Sequence, residues 1–83
     1  MTLADEIRNS YRLSDEFIQK NIIPDLRSRG SRSLICDHHI REIETYAIPF
    51  RYGESLERWA RENGFNVSYR YNSYGVRYIF ITI

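Results

Sequence analysis

The sequence predicts one small α+β domain spanning residues 1–83, with three helices and a small antiparallel sheet that ends in a C-terminal β-hairpin. Three observations predict this fold class. Apolar residues recur at helical spacing in the first two thirds of the chain, whereas residues 65–83 alternate between two faces around a central turn. The length fits a single hydrophobic core, and 42% apolar with 28% charged residues is a globular composition.

The N-terminal part is predicted to be helical as far as Gly30. Thr2 is suited to cap a first short helical turn, and Ser14 precedes two acidic residues, which is typical of a helix N-terminus. Pro24 lacks a backbone N–H, so the stretch from Ser14 to Arg29 forms either one kinked helix or two helices. Gly30 is a suitable helix stop. The buried stripe of this stretch is predicted to contain Ile18, Ile22 and Leu26.

A short strand and a second helix are predicted next. Residues 33–36 form a brief apolar run whose length suits a strand. Asp37 then resembles a helix N-cap, and Ile40, Ile43 and Ala47 line one side of a helix from about His38 to Ile48. Pro49 is expected to end this helix, because a residue before proline disfavours the α conformation.

Residues 50–55 are predicted to form a loop, followed by a third helix that begins at Gly53 or Ser55 and reaches Asn63. Leu56, Trp59 and Ala60 supply its apolar face, and Gly64 is a strong stop signal.

The hairpin is the most specific prediction. Asn72 and Gly75 fit a type I turn followed by a left-handed bulge residue, which pairs strand residues whose numbers sum to about 148. One face then carries Phe65, Val67 and Tyr69 opposite Ile83, Ile81 and Ile79. The other face carries Asn66, Ser68, Arg70, Tyr78, Phe80 and Thr82. The core is predicted to contain Trp59, Phe65, Val67, Ile79 and Ile81, together with Ile22 or Leu26.

The predicted order, α-β-α-α-β-β, resembles that of a winged-helix domain, in which a small sheet packs on three helices and the hairpin tip forms the wing. This resemblance is one of topology and covers most of the chain. It implies a nucleic-acid-binding regulator that uses the hairpin tip, here together with the arginine cluster at residues 27–32.

Several classes of function are disfavoured by the sequence. One cysteine, Cys36, cannot form an intrachain disulfide, and the acidic N-terminal residues argue against a signal peptide, so we expect a cytoplasmic protein. We expect no membrane-spanning segment. Cys36, Asp37, His38 and His39 lack the second ligand pair that a structural zinc site needs, and we predict no metal, no cofactor and no enzymatic activity.

Arginine and tyrosine are the strongest functional signal. Eleven of the twelve basic residues are arginine and seven residues are tyrosine, the types enriched at interfaces. The predicted binding residues are Arg27, Arg29, Arg32, Arg70, Tyr71, Tyr74, Arg77 and Tyr78. The net charge of +1 and an acidic third helix favour a protein partner, as for an inhibitor or adaptor, over the nucleic acid that the winged-helix resemblance implies. A small anionic ligand, the identity of the partner and the oligomeric state stay open.

Overall fold

The computed structural model describes residues 2–83. Across that range the chain forms four helices and one four-stranded sheet. The helices are α1 (Leu3–Ser10), α2 (Asp15–Asn21), α3 (Ile23–Arg29) and α4 (Phe50–Glu62), and the strands are β1 (Ser31–Asp37), β2 (Ala47–Pro49), β3 (Asn66–Tyr71) and β4 (Arg77–Thr82). The α+β class and the C-terminal hairpin are therefore confirmed, although the element order is α-α-α-β-β-α-β-β.

The predicted signals mark the starts of α1 and α2 and the end of α3. The Thr2 hydroxyl accepts a hydrogen bond from the Asp5 backbone N–H in a reciprocal capping box, and the Ser14 hydroxyl caps α2. A break at Ile22, two residues before Pro24, separates α2 from α3, so the stretch forms two helices. Gly30 ends α3 with a φ of 71°, in the left-handed region that glycine adopts without strain.

The sheet has the strand order β2-β1-β4-β3. β4 pairs antiparallel with both β1 and β3, whereas β1 and β2 are parallel. The sheet is therefore mixed and not wholly antiparallel as predicted. The parallel pair also replaces the second helix of the predicted order, so the observed topology departs from that of a winged-helix domain.

The predicted helix from His38 to Ile48 is wrong. Residues 38–46 form turns and loop, and Ala47 and Ile48 belong to β2. Asp37 does cap locally, because its carboxylate accepts the His39 backbone N–H at 3.0 Å, but this bond closes a turn and not a helix. Parallel pairing with β1 gives the backbone of residues 47–49 partners that a helix would have excluded.

Helix α4 begins earlier than predicted, directly after Pro49, so the predicted loop at residues 50–55 is helical. Pro49 therefore starts a helix instead of ending one. Gly53 lies inside α4 and faces β1, where a Cβ atom would approach the Cys36 Sγ atom to 2.6 Å. The glycine allows the helix to lie this close to the sheet.

The hairpin register is confirmed at the predicted positions, with Val67 opposite Ile81 and Tyr69 opposite Ile79. Gly75 has a φ of 80° and donates its N–H to the Asn72 carbonyl oxygen. The Asn72 side chain also accepts hydrogen bonds from two turn N–H groups, at 2.8 and 3.0 Å. The turn therefore fixes the register through the asparagine and the glycine.

The core lies between the helices and one face of the sheet. Its fully buried members include Ile22, Leu34, Ile48, Leu56, Ile79 and Ile81. Three predicted core residues are only partly buried, because Trp59, Phe65 and Val67 pack at the margin of this cluster. Trp59 and Phe65 stack there with ring centroids 6.0 Å apart.

Candidate functional site: the uncovered face of the sheet

The two faces of the sheet have different surroundings. Leu34 and Cys36 of β1, with Ile79 and Ile81 of β4, join the helical residues in one buried cluster. Side chains of a strand alternate between faces, so the intervening residues of β1, β3 and β4 point away from the helices. We call this second surface the uncovered face; at its β1 margin, Ile35 lines a pocket together with residues of the 39–47 segment.

Three rows of side chains cross the uncovered face, each containing one residue from β1, β4 and β3. The pairing places Ile35, Tyr78 and Arg70 in the first row, Ser33, Phe80 and Ser68 in the second, and Ser31, Thr82 and Asn66 in the third. Aromatic and aliphatic groups therefore gather toward the hairpin tip, and small polar groups occupy the opposite end.

Arg70 and Phe80 are the central contact of this face. The Arg70 guanidinium carbon lies 4.4 Å from the centroid of the Phe80 ring, within the range of a cation–π interaction. Arg70 is exposed, whereas Tyr78 and Phe80 are partly buried. The guanidinium is thus held in place by the ring while its N–H groups stay accessible to a partner.

Arg70 and Tyr78, two of the predicted binding residues, are direct cross-strand neighbours in this arrangement. Sequence reasoning found this pair because strand alternation placed both on one face. It missed Ser33 and Ile35, because the position of β1 next to β4 depends on a pairing between residues distant in sequence.

Arg27 and Arg29 lie at the other end of the molecule. Both are exposed in the last turn of α3, next to the residues that pair with the end of β4. The six residues of β4 separate them from the hairpin tip, a distance of about 17 Å. The structure does not bring the two predicted arginine groups together.

Arg32 is engaged within the protein. Its Nη1 atom lies 2.5 Å from the Asp25 carboxylate, and its Nη2 atom donates to the Thr45 carbonyl oxygen. The side chain is 18% exposed. Arg32 thereby joins α3 to the loop before β2.

Arg77 is also held by internal contacts, on the helix side of the sheet. Its guanidinium carbon lies 3.8 Å from the centroid of the Tyr69 ring and 4.5 Å from that of Phe50. Phe50 additionally stacks on His38, with centroids 4.0 Å apart. These contacts anchor the start of α4 against the hairpin.

Tyr71 and Tyr74 are exposed near the hairpin tip, at 69% and 90% respectively. Tyr71 is the neighbour of Arg77 in the ladder and so lies on the helix side, while Tyr74 belongs to the turn. Neither contributes to the rows of the uncovered face.

The thiol of Cys36 is fully buried, and burial raises its pKa, which disfavours the reactive thiolate.

Within residues 2–83, no three His, Cys, Asp or Glu side chains are grouped in a way that would hold a metal ion. The helices over the same range are too short and too polar to cross a membrane.

No protein family, curated protein or solved structure matches this chain.

Proposed function

We propose that this protein is a non-enzymatic binding module that contacts a protein partner through the uncovered face of its sheet. The observation that carries the proposal is the row arrangement around Arg70, Tyr78 and Phe80. Arginine and tyrosine are frequent energetic hot spots of protein interfaces, and the serines beside Phe80 leave room for a partner side chain. An inhibitor or adaptor is the class of protein that fits such a surface.

Electrostatics favours protein over nucleic acid as the partner. Arg70 is the one charged side chain among the nine that form the three rows. Arg32 and Arg77 make internal contacts, and Arg27 and Arg29 lie at the far end of the sheet. Nucleic-acid affinity depends on several cations that neutralise neighbouring phosphates, whereas one guanidinium suits a partner carboxylate.

Site-specific photocrosslinking in the source cell tests this proposal. A photoreactive phenylalanine analogue replaces Ser68 on the uncovered face, and the matched control carries it at Ser28, exposed in α3. We expect an adduct from position 68 that is sensitive to protease and resistant to nuclease. Arg70→Ala should weaken the same complex roughly 30-fold, equivalent to about 2 kcal/mol. Equal adducts from both positions would contradict the proposal.

A second function, single-stranded nucleic-acid binding, is favoured by one observation: Tyr78 and Phe80 lie on a central strand of an uncovered sheet, where aromatic rings can stack on bases. Anisotropy titrations with random-sequence RNA and DNA at two salt concentrations test it. We expect weak binding. Submicromolar affinity near physiological salt, lost when Arg70 and Tyr78 become alanine, would favour nucleic acid over protein.

A further inference from the structure

The two edges of the sheet differ in what their backbones offer to another chain. At the β2 edge, the Ala47 N–H donates to the Glu44 carbonyl oxygen at 3.3 Å, and the Ala47 carbonyl accepts the Glu44 N–H at 2.8 Å. Pro49, two residues later, has no N–H. This edge is three residues long and the Ala47 backbone groups are already hydrogen-bonded.

The β3 edge has outward backbone groups. Asn72 donates its N–H to the Val76 carbonyl, so even-numbered residues of β3 direct their backbone toward β4. The Val67 carbonyl points the other way and accepts a hydrogen bond from the Arg61 guanidinium at 3.5 Å. The N–H and C=O groups of Tyr69 and Tyr71 therefore face outward as well.

β3 is also regular along its length. All six residues pair with β4 in one register, without a bulge, and the strand contains neither proline nor glycine. Protein edges that avoid pairing are short, bulged, interrupted by proline or lined with charged side chains, above all lysine. Of these features β3 has a single charge, that of Arg70, and an edge of this type binds extended chains by strand addition.

We propose that β3 binds an extended segment of the partner as a fifth strand, and that this segment carries an acidic residue beside Arg70. This inference rests on the proposed protein-binding function and identifies its mode. A fifth strand would extend the row of Ile35, Tyr78 and Arg70 by one position, and an acidic residue there would form a favourable cross-strand pair. In the partner segment, apolar residues would alternate with this acidic residue and would lie next to Tyr69 and Tyr71.

Charge argues for such a segment over a second copy of the chain. Residues 65–83 contain Arg70 and Arg77 and no acidic residue. Two copies paired antiparallel along β3 would place both Arg70 side chains on the same face without a carboxylate between them, which is unfavourable. An acidic segment supplies the missing charge.

The probe is a blocked peptide of about eight residues that alternates valine and glutamate, long enough to span β3. The control peptide alternates valine and lysine. Amide chemical shifts of the labelled full chain report where each peptide binds. We expect the glutamate peptide to shift the outward amides of Val67, Tyr69 and Tyr71 more than the inward amides of Ser68 and Arg70.

Two substitutions of Tyr71 distinguish the contribution of its backbone N–H to peptide binding from that of its side chain. Tyr71→Pro removes an outward N–H without breaking a hydrogen bond to β4, and it should weaken peptide binding tenfold or more. Tyr71→Thr keeps the N–H in a strand-favouring residue and removes the side-chain contact, so it should weaken peptide binding clearly less than proline does. An equal loss with threonine and with proline would refute pairing through the backbone.

Three results would overturn the inference: no binding of the glutamate peptide, equal binding of the lysine peptide, or self-association through β3 in sedimentation. These results are distinguishable from failure of the proposed function. If Ser68 still yields a protein adduct that depends on Arg70 while the β3 amides are unaffected, the uncovered face binds a partner and strand addition is wrong. If no adduct forms, the proposed function itself fails.

Discussion

The two faces of the sheet share the same strands but differ in composition and surroundings. On the helix side, Leu34, Ile79 and Ile81 are at most 1% exposed. Their neighbours along the same strands, including Ile35, Tyr78 and Phe80, face away from the helices and keep part of their surface accessible. Adjacent residues of one strand therefore differ in surroundings: those on the helix side form the core, and those on the other side keep solvent-accessible surface.

Arginine shows the same contrast. On the helix side, Arg77 packs between Tyr69 and Phe50, and Arg32 is paired with Asp25. On the uncovered face, Arg70 rests on Phe80 and remains exposed. An arginine-rich sequence therefore does not by itself define a binding site, because some of the arginine side chains make contacts within the fold.

The largest difference is expected between neighbouring residues of β4. Ile79→Ala removes a fully buried side chain and should lower the free energy of unfolding by about 2–5 kcal/mol. Phe80→Ala, one residue later on the uncovered face, should cost less than about 2 kcal/mol, because the ring is partly solvated in the folded state. Urea unfolding followed by circular dichroism measures both. Equal losses of unfolding free energy would show that Phe80 is as buried as Ile79 and that the uncovered face is in fact covered.

Gly53→Ala tests the close approach of α4 to the covered face. Alanine in a helix interior ordinarily stabilises by about 1 kcal/mol relative to glycine. Here its Cβ would meet the Cys36 Sγ atom at 2.6 Å, so we expect a loss of about 1–3 kcal/mol. The control is the same change beside Cys36→Ala, which removes the sulfur and should reverse much of the loss. A stabilising Gly53→Ala in the unchanged background would contradict this packing.

The smallest expected losses of unfolding free energy are those of two arginine-to-alanine variants. Arg32→Ala leaves the Asp25 carboxylate and the Thr45 carbonyl without this partner, and should cost about 1–2 kcal/mol after allowance for partial exposure. Arg70→Ala removes an exposed cation–π contact and should cost less than about 1 kcal/mol. Thermal melts of the two variants measure this, and a larger loss for Arg70 would assign it a structural role instead.

Local signals in the sequence determined the starts of α1 and α2, the end of α3 and the C-terminal hairpin. Thr2, Ser14 and Gly30 cap or stop helices through bonds to residues a few positions away. Asn72 and Gly75 set the turn, and the turn sets the register that places Arg70 beside Tyr78. Each of these features arises from interactions between near neighbours, so the alternation and the capping residues were sufficient to predict them.

The conformation of the segment from His38 to Pro49, and the full set of residues on the uncovered face, depend on tertiary contacts. Ile40, Ile43 and Ala47 have helical spacing, yet β1 takes residues 47–49 as a parallel partner, a choice that depends on contacts distant in sequence. The same is true of Ile35, which joins the uncovered face because β1 pairs with β4. The contacts that Asp25 makes with Arg32, and that Tyr69 and Phe50 make with Arg77, likewise join residues that approach one another only on folding. Periodicity records which residues can share a face, whereas pairing between distant strands determines which faces are covered.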